Sequence, residues 1–187
     1  MPVEPHRERR SGLIWRALAC ALFVASSCAA AGGASEYEVK AAYLLNFTKF
    51  VDWPSSAFDG PNSPMTICVL GRDPFGRALD EIVQGETVNG RRLEVRRIAQ
   101  PPEPRACQVI FLSQTNGDAA KLLGSIGPGV LTVGEGDAFL RDGGVVAFVI
   151  EDRRVRFDIN RTAAEAAELK LSARLLRVAR SVQGGRP

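Results

Sequence analysis

The chain holds a single histidine among its 187 residues, His6, and that residue falls inside a segment with the character of an export leader. Beyond the leader there is no imidazole to serve as general base, triad member or nitrogen ligand, which closes many enzyme classes. Cysteine is scarce as well. Of four, Cys20 and Cys28 also lie in the leader, and the remaining Cys68 and Cys107 cannot by themselves furnish a structural zinc site. No metal and no cofactor are expected. Charge imbalance is missing too: the formal net charge is +3, and residues 1–34 contribute four arginines against Glu4 and Glu8. The nearly neutral remainder lacks the basic footprint that a nucleic-acid partner requires. Nor is there a long apolar run, since Leu18 to Val24 is too short to span a bilayer.

The leader itself is read from Arg7, Arg9, Arg10 and Arg16, the apolar core that starts at Leu18, and the small residues Ala29, Ala30 and Ala31. Cleavage is expected between Ala31 and Ser35, which places the mature protein in the periplasm. Residues 35–182 then form one domain with a single core, and 183–187 a flexible tail. Two cysteines in an oxidising compartment suggest a Cys68–Cys107 disulfide, the alternative being two buried thiols on neighbouring strands.

Periodicity and punctuation give the elements. Glu36 to Asp52 reads as a helix with acids in its first turn and Trp53-Pro54 as its stop. Met65 to Gly71 is a buried strand, and Pro74 opens a helix that runs to Val83. Strands are expected at Arg92–Ile98, Gln108–Leu112 and Val130–Val133, with a helix over Asp118–Ile126. Val145–Ile150 and Arg154–Ile159 flank the polar turn Glu151-Asp152-Arg153 as an antiparallel hairpin. Asn160 caps a helix to Leu169, and Ser172 caps another over Ala173–Val182. The sum is a three-layer α/β domain with a mixed sheet, helices on both faces, and a C-terminal hairpin and helices.

Candidate chemistry is thin. Asp73 with Asp80, and Glu151 with Asp152, have no spacing that implies a shared cleft, and solvated loop charges explain them. Gly71-Arg72-Asp73-Pro74-Phe75-Gly76 leads into a helix start but lacks phosphate-loop and dinucleotide patterns. Gly127-Pro128-Gly129 and Gly134-Glu135-Gly136-Asp137 read as turns. Arg154 and Arg156, on the polar face of the hairpin, could hold a carboxylate or small anion against the simpler reading of a solvated face. The first helix carries two apolar stripes, Tyr37/Ala41/Leu44/Val51 and Val39/Tyr43/Phe47/Phe50. One core takes one stripe; the second is either wedged against the C-terminal helix or is a partner-binding face at Tyr43, Phe47 and Phe50.

The run from Glu36 to Pro54 closely resembles the opening of the YfiR family of exported regulators, and the resemblance continues through Thr66–Gly76, Cys107–Leu112, Val130–Gly134, Gly143-Gly144, Arg154–Asn160 and Leu171–Arg177. Family members resemble this chain in carrying both Cys68 and Cys107 equivalents; a second pair that some possess is absent. The resemblance implies a non-enzymatic repressor that binds the periplasmic domain of an inner-membrane diguanylate cyclase or sensor and lowers cyclic di-GMP and biofilm formation. It also implies release by an outer-membrane-linked protein. The uncovered stripe of the first helix is expected to be a contact surface either for the receptor or for a second copy, a homodimer. A periplasmic small-molecule-binding protein serving another sensor or transporter is the alternative.

Overall fold

The computed structural model describes residues 35–103, 105–113 and 119–184; the leader and Asp118 lie outside the described residues. The first helix, α1 (Glu36–Phe50), begins in a reciprocal cap: Ser35 Oγ accepts from Glu38 N, while the Glu38 carboxylate accepts from Ser35 N at 2.6 Å. It ends earlier than the sequence suggests. Val51 is extended, and Val51–Asp52 forms strand β1, paired antiparallel with β9 (Lys170–Leu171). Bonding to β9, together with the extended preference before a proline, outweighs two more helical residues.

The centre of the fold is an eight-stranded mixed sheet. It contains β2 (Met65–Leu70), β3 (Thr87–Val88), β4 (Arg91–Ile98), β5 (Val109–Leu112), β6 (Leu131–Glu135), β7 (Val146–Glu151), β8 (Arg154–Asn160) and β10 (Ser181–Gln183), in the spatial order β10-β8-β7-β6-β5-β2-β4-β3. The block β4-β2-β5-β6-β7 is parallel, and the β7–β8 and β3–β4 pairs are antiparallel. Strands β2 and β5 are buried at every position, as strands covered on both faces must be. On one face Ile67, Val69, Phe111, Val133, Phe148 and Phe157 pack with α1, α2 (Arg77–Val83) and α6 (Ala173–Val178). On the other, Cys68, Leu70, Ile110, Leu112 and Ala147 meet α3 (Ala119–Ser125) and α4 (Gly136–Arg141). The expected three-layer α/β domain is the observed one.

Cys68 and Cys107 are joined in a disulfide with a Cα–Cα distance of 5.9 Å, and both are buried within the second of these packed layers. Beside it Gln108, 1% exposed, ties three segments together. Its Oε1 accepts from Thr66 N at 2.8 Å, and its Nε2 donates to the carbonyls of Ala57 at 2.7 Å and Arg105 at 3.0 Å. Phe139 of α4 lies between two glycines: a Cβ on Gly134 would come within 2.4 Å of its ring, and one on Gly144 within 2.1 Å. Those glycines are therefore there for packing, Gly134 at an ordinary φ.

Several boundaries differ from expectation. The second helix starts at Arg77, because Gly76 takes φ +54° and the Asp73 carboxylate turns the chain by accepting from Phe75 N. Gly134 and Glu135 belong to β6, and Gly136 opens α4, so this glycine pair is not a plain turn. Asn160 and Ser172 do cap helices, accepting from Ala163 N and Leu175 N, but those helices are short. The helix α5 (Arg161–Ala166) stops before Leu169, and α6 stops at Val178, where the chain extends into edge strand β10 beside β8. Gln183, placed in a tail by the sequence, is in that strand.

Candidate interaction surface

The two stripes of α1 are largely accounted for by the protein's own core. Tyr37 meets Phe75 edge-on at 5.6 Å, and Ala41 and Leu44 are wholly buried. On the other side Phe47 stacks on Phe148 at 5.9 Å and meets Phe157 edge-on at 5.1 Å, leaving its side chain no accessible surface. Phe47 thus works as a core residue, worth about 3–5 kcal/mol against alanine. Tyr43 packs its ring on Phe157 at 5.3 Å and stays half-buried, as does Phe50. Helix α1 is wedged between the sheet, α2 and α6.

The residues left outward on α1 meet the hairpin. Val39 and Glu36 line an open cavity of about 520 Å³ with Ile150, Arg153, Arg154 and Val155. Ile150 is 53% exposed. Asp152 and Arg153, the two turn residues, both have positive φ (48° and 60°), the arrangement by which a two-residue hairpin matches strand twist. Arg153, Arg154 and Arg156 form no ion pair with any carboxylate among the described residues. The structure brings Arg154 to the cavity, whereas Arg156 is exposed on the same polar strand face and does not line it.

Asp158, the third residue of that polar face, has a different fate. It is 1% exposed, and Arg180 binds it through both oxygens, with Nε at 2.8 Å from Oδ1. Those hydrogen bonds hold the Asp158 carboxyl below its ordinary pKa despite burial. Arg180 also reaches Glu151 and Asp137 at 3.7 Å, and so fastens the start of β10 to the hairpin and α4. Asp73 and Asp80 are likewise brought together, but on a cation: Arg97 reaches Asp73 at 3.0 Å and Asp80 at 2.6 Å. Arg97 lowers the Asp80 pKa, the reverse of what a general acid needs.

One polar cluster is not evident from the sequence. Lys40, 3% exposed, donates to Glu36 one turn back and to Glu135 at 2.5 Å, with its Nζ 4.5 Å from the centre of the Tyr37 ring. Burial opposes the ammonium charge, but the two carboxylates outweigh it and hold the Lys40 pKa above its usual value. The same burial, with the charge of Glu135, raises the Tyr37 phenol. A stably charged lysine is a poor nucleophile; here it stitches α1 to the β6–α4 junction. The i,i+4 pair of Glu36 and Lys40 between apolar positions was the available clue. Among the described residues no group of three His, Cys, Asp or Glu could hold a metal, and no helix there is long and apolar enough to cross a membrane.

A family model described as DUF4154, YfiR/HmsC-like, matches residues 37–180. No curated protein matches. Among solved structures, a conserved domain protein from Vibrio cholerae O1 biovar eltor is 12% identical with a TM-score of 0.49, covering 81% of this chain and 62% of that one. The ABC domain from Streptococcus pneumonia in complex with L-Trp is 13% identical with a TM-score of 0.43, covering 64% and 55%. The chain therefore spans less than two-thirds of the length of either, and a likeness this slight carries nothing over to it.

Proposed function

We propose that this protein, which belongs to the YfiR/HmsC-like family, binds the periplasmic sensor domain of a membrane-anchored diguanylate cyclase and holds the enzyme inactive, lowering cyclic di-GMP and biofilm formation. The family is one of periplasmic, non-catalytic regulators in cyclic di-GMP signalling. Export by a cleaved leader, release by an outer-membrane-linked protein and pairing with a second copy belong to the same proposal.

The observation that carries it is the apolar floor of Val39, Ile150 and Val155 beside Arg153 and Arg154, which have no ion-pair partner among the described residues. Burying the exposed half of Ile150 against a receptor is worth about 1 kcal/mol. A preference of about 1.4 kcal/mol for the inactive receptor already shifts its equilibrium tenfold. Tyr43, one helical turn beyond Val39, extends this surface; Phe50 offers a second half-buried edge near the end of α1. Arg156 adds charge on the neighbouring strand face.

The test is capture of membrane proteins on the mature chain, with cyclic di-GMP measured in cells carrying Ile150→Asp or Arg154→Glu. Both positions are exposed, so the variants should be exported and folded, lose the captured cyclase and raise cyclic di-GMP. Folded variants that capture and repress like wild type would remove this surface from the reading. Phe47→Asp serves as a control that unfolds. The second reading, a small-molecule-binding protein serving another sensor or transporter, is favoured by the same cavity with Arg154 at its wall, and capture of a transporter or sensor kinase would select it.

A further inference from the structure

We propose that a second cavity, between α3, the start of β6 and α5, binds a small uncharged molecule with an apolar body and one hydrogen-bond acceptor. It lies by Val145, at the opposite end of β7 from Ile150, and has a volume of about 380 Å³, within the range of small-molecule sites. Leu123 and Ile126 from α3, Val130 and Val145 from the strand starts, and Ala163 and Ala166 from α5 supply its apolar wall. Although 24% of the chain is charged, no charged side chain among the described residues lines this cavity. An ionic ligand would surrender its hydration without an ion pair in return, so the site selects neutral molecules.

The acceptor requirement comes from Thr132. This lining side chain is 5% exposed; its Oγ1 accepts from Val145 N at 3.0 Å, and among the described residues it donates to nothing. A hydroxyl has one hydrogen to give, and here a carbonyl or ether oxygen on the ligand would take it. Asn160, another polar side chain in the wall, is held in place by donating from Nδ2 to Leu140 O and accepting at Oδ1 from Ala163 N, and Thr162 lies at the exposed rim. Gly127 sits at the cavity with open space around it, since a Cβ there would meet nothing within 4 Å, whereas Gly143 is glycine for its φ of +101°.

The proposal stands apart from cyclase binding, and its test does not use repression. The mature protein is titrated with coumarin, neutral and bearing a lactone carbonyl, and separately with coumarin-3-carboxylate, while amide NMR shifts are monitored. Coumarin should give saturable shifts at Gly127, Thr132 and Ala163, and the carboxylate should bind at least tenfold more weakly. Gly127→Leu places a side chain in open space at ordinary φ, keeps the fold and should abolish the shifts. Thr132→Val should weaken binding several-fold; if that variant does not fold, Gly127→Leu decides alone. Absence of saturable shifts at these residues, equal binding of the carboxylate, or binding unaffected by Gly127→Leu would each overturn the site.

Discussion

Removing the Cys68–Cys107 bond should cost the domain about 4 kcal/mol. The cysteines are 39 residues apart, and the segment between them carries α2, β3 and β4, so the bond restrains a loop that contains an entire edge of the sheet. In the chain-entropy account a closed loop of roughly 40 residues removes about 13 cal/mol/K from the unfolded ensemble, or about 4 kcal/mol at 25 °C. For a domain of this size that is a fall in Tm of about 8–16 °C. The variant to use is Cys68→Ala with Cys107→Ala. Both side chains are almost wholly buried, and serine would add the separate cost of an unpaired hydroxyl. Urea unfolding of the double variant and of wild type, each with and without reductant, separates the bond from the packing. Reductant should bring wild type close to the variant and leave the variant unmoved. A double variant within about 1 kcal/mol of oxidised wild type would refute the loop-entropy reasoning.

Gly144→Ala should cost about 1–3 kcal/mol in urea unfolding, since its Cβ would strike the Phe139 ring, and Phe139→Leu should recover part of that loss. Arg180→Gln should lower the urea midpoint at pH 7 and loosen β10, read by amide exchange at Val182. Because Arg180 depresses the folded pKa of Asp158, the stability it confers is complete above the unfolded carboxyl pKa of about 3.9 and is lost as pH falls through the folded value. The gap between wild type and Arg180→Gln should therefore be steady from pH 7 to about 5 and shrink below about pH 4. Arg153→Gly should raise stability by about 0.5–1 kcal/mol by relieving a positive-φ arginine, yet weaken receptor capture if Arg153 belongs to the contact surface.

The layers of this fold were legible because its buried strands are unbroken apolar runs and its hairpin alternates cleanly: Val155, Phe157 and Ile159 turn to the core as their spacing requires. What escaped were elements whose reason is tertiary. Strand β1 exists because β9 lies beside it, and β10 because β8 offers an unpaired edge. Neither segment has enough residues to show a period. Gly134 read as part of a turn because a sequence displays flexibility but not the aromatic ring that needs the missing Cβ.

The surface was harder still. Two stripes on α1 implied a need for cover, and the sequence could not tell that Phe148 and Phe157 supply most of it, since those partners lie about a hundred residues away. The polar face of β8 held three charged residues of one apparent kind, and the fold divided them: Asp158 took Arg180 and became structural, while Arg154 and Arg156 kept their charge for solvent or a partner. That division separates two kinds of charge by what each substitution does. A change at Arg180 should be felt in stability, because the buried Asp158 carboxylate is left without its counter-ion, whereas a change at Arg154 should be felt only in binding.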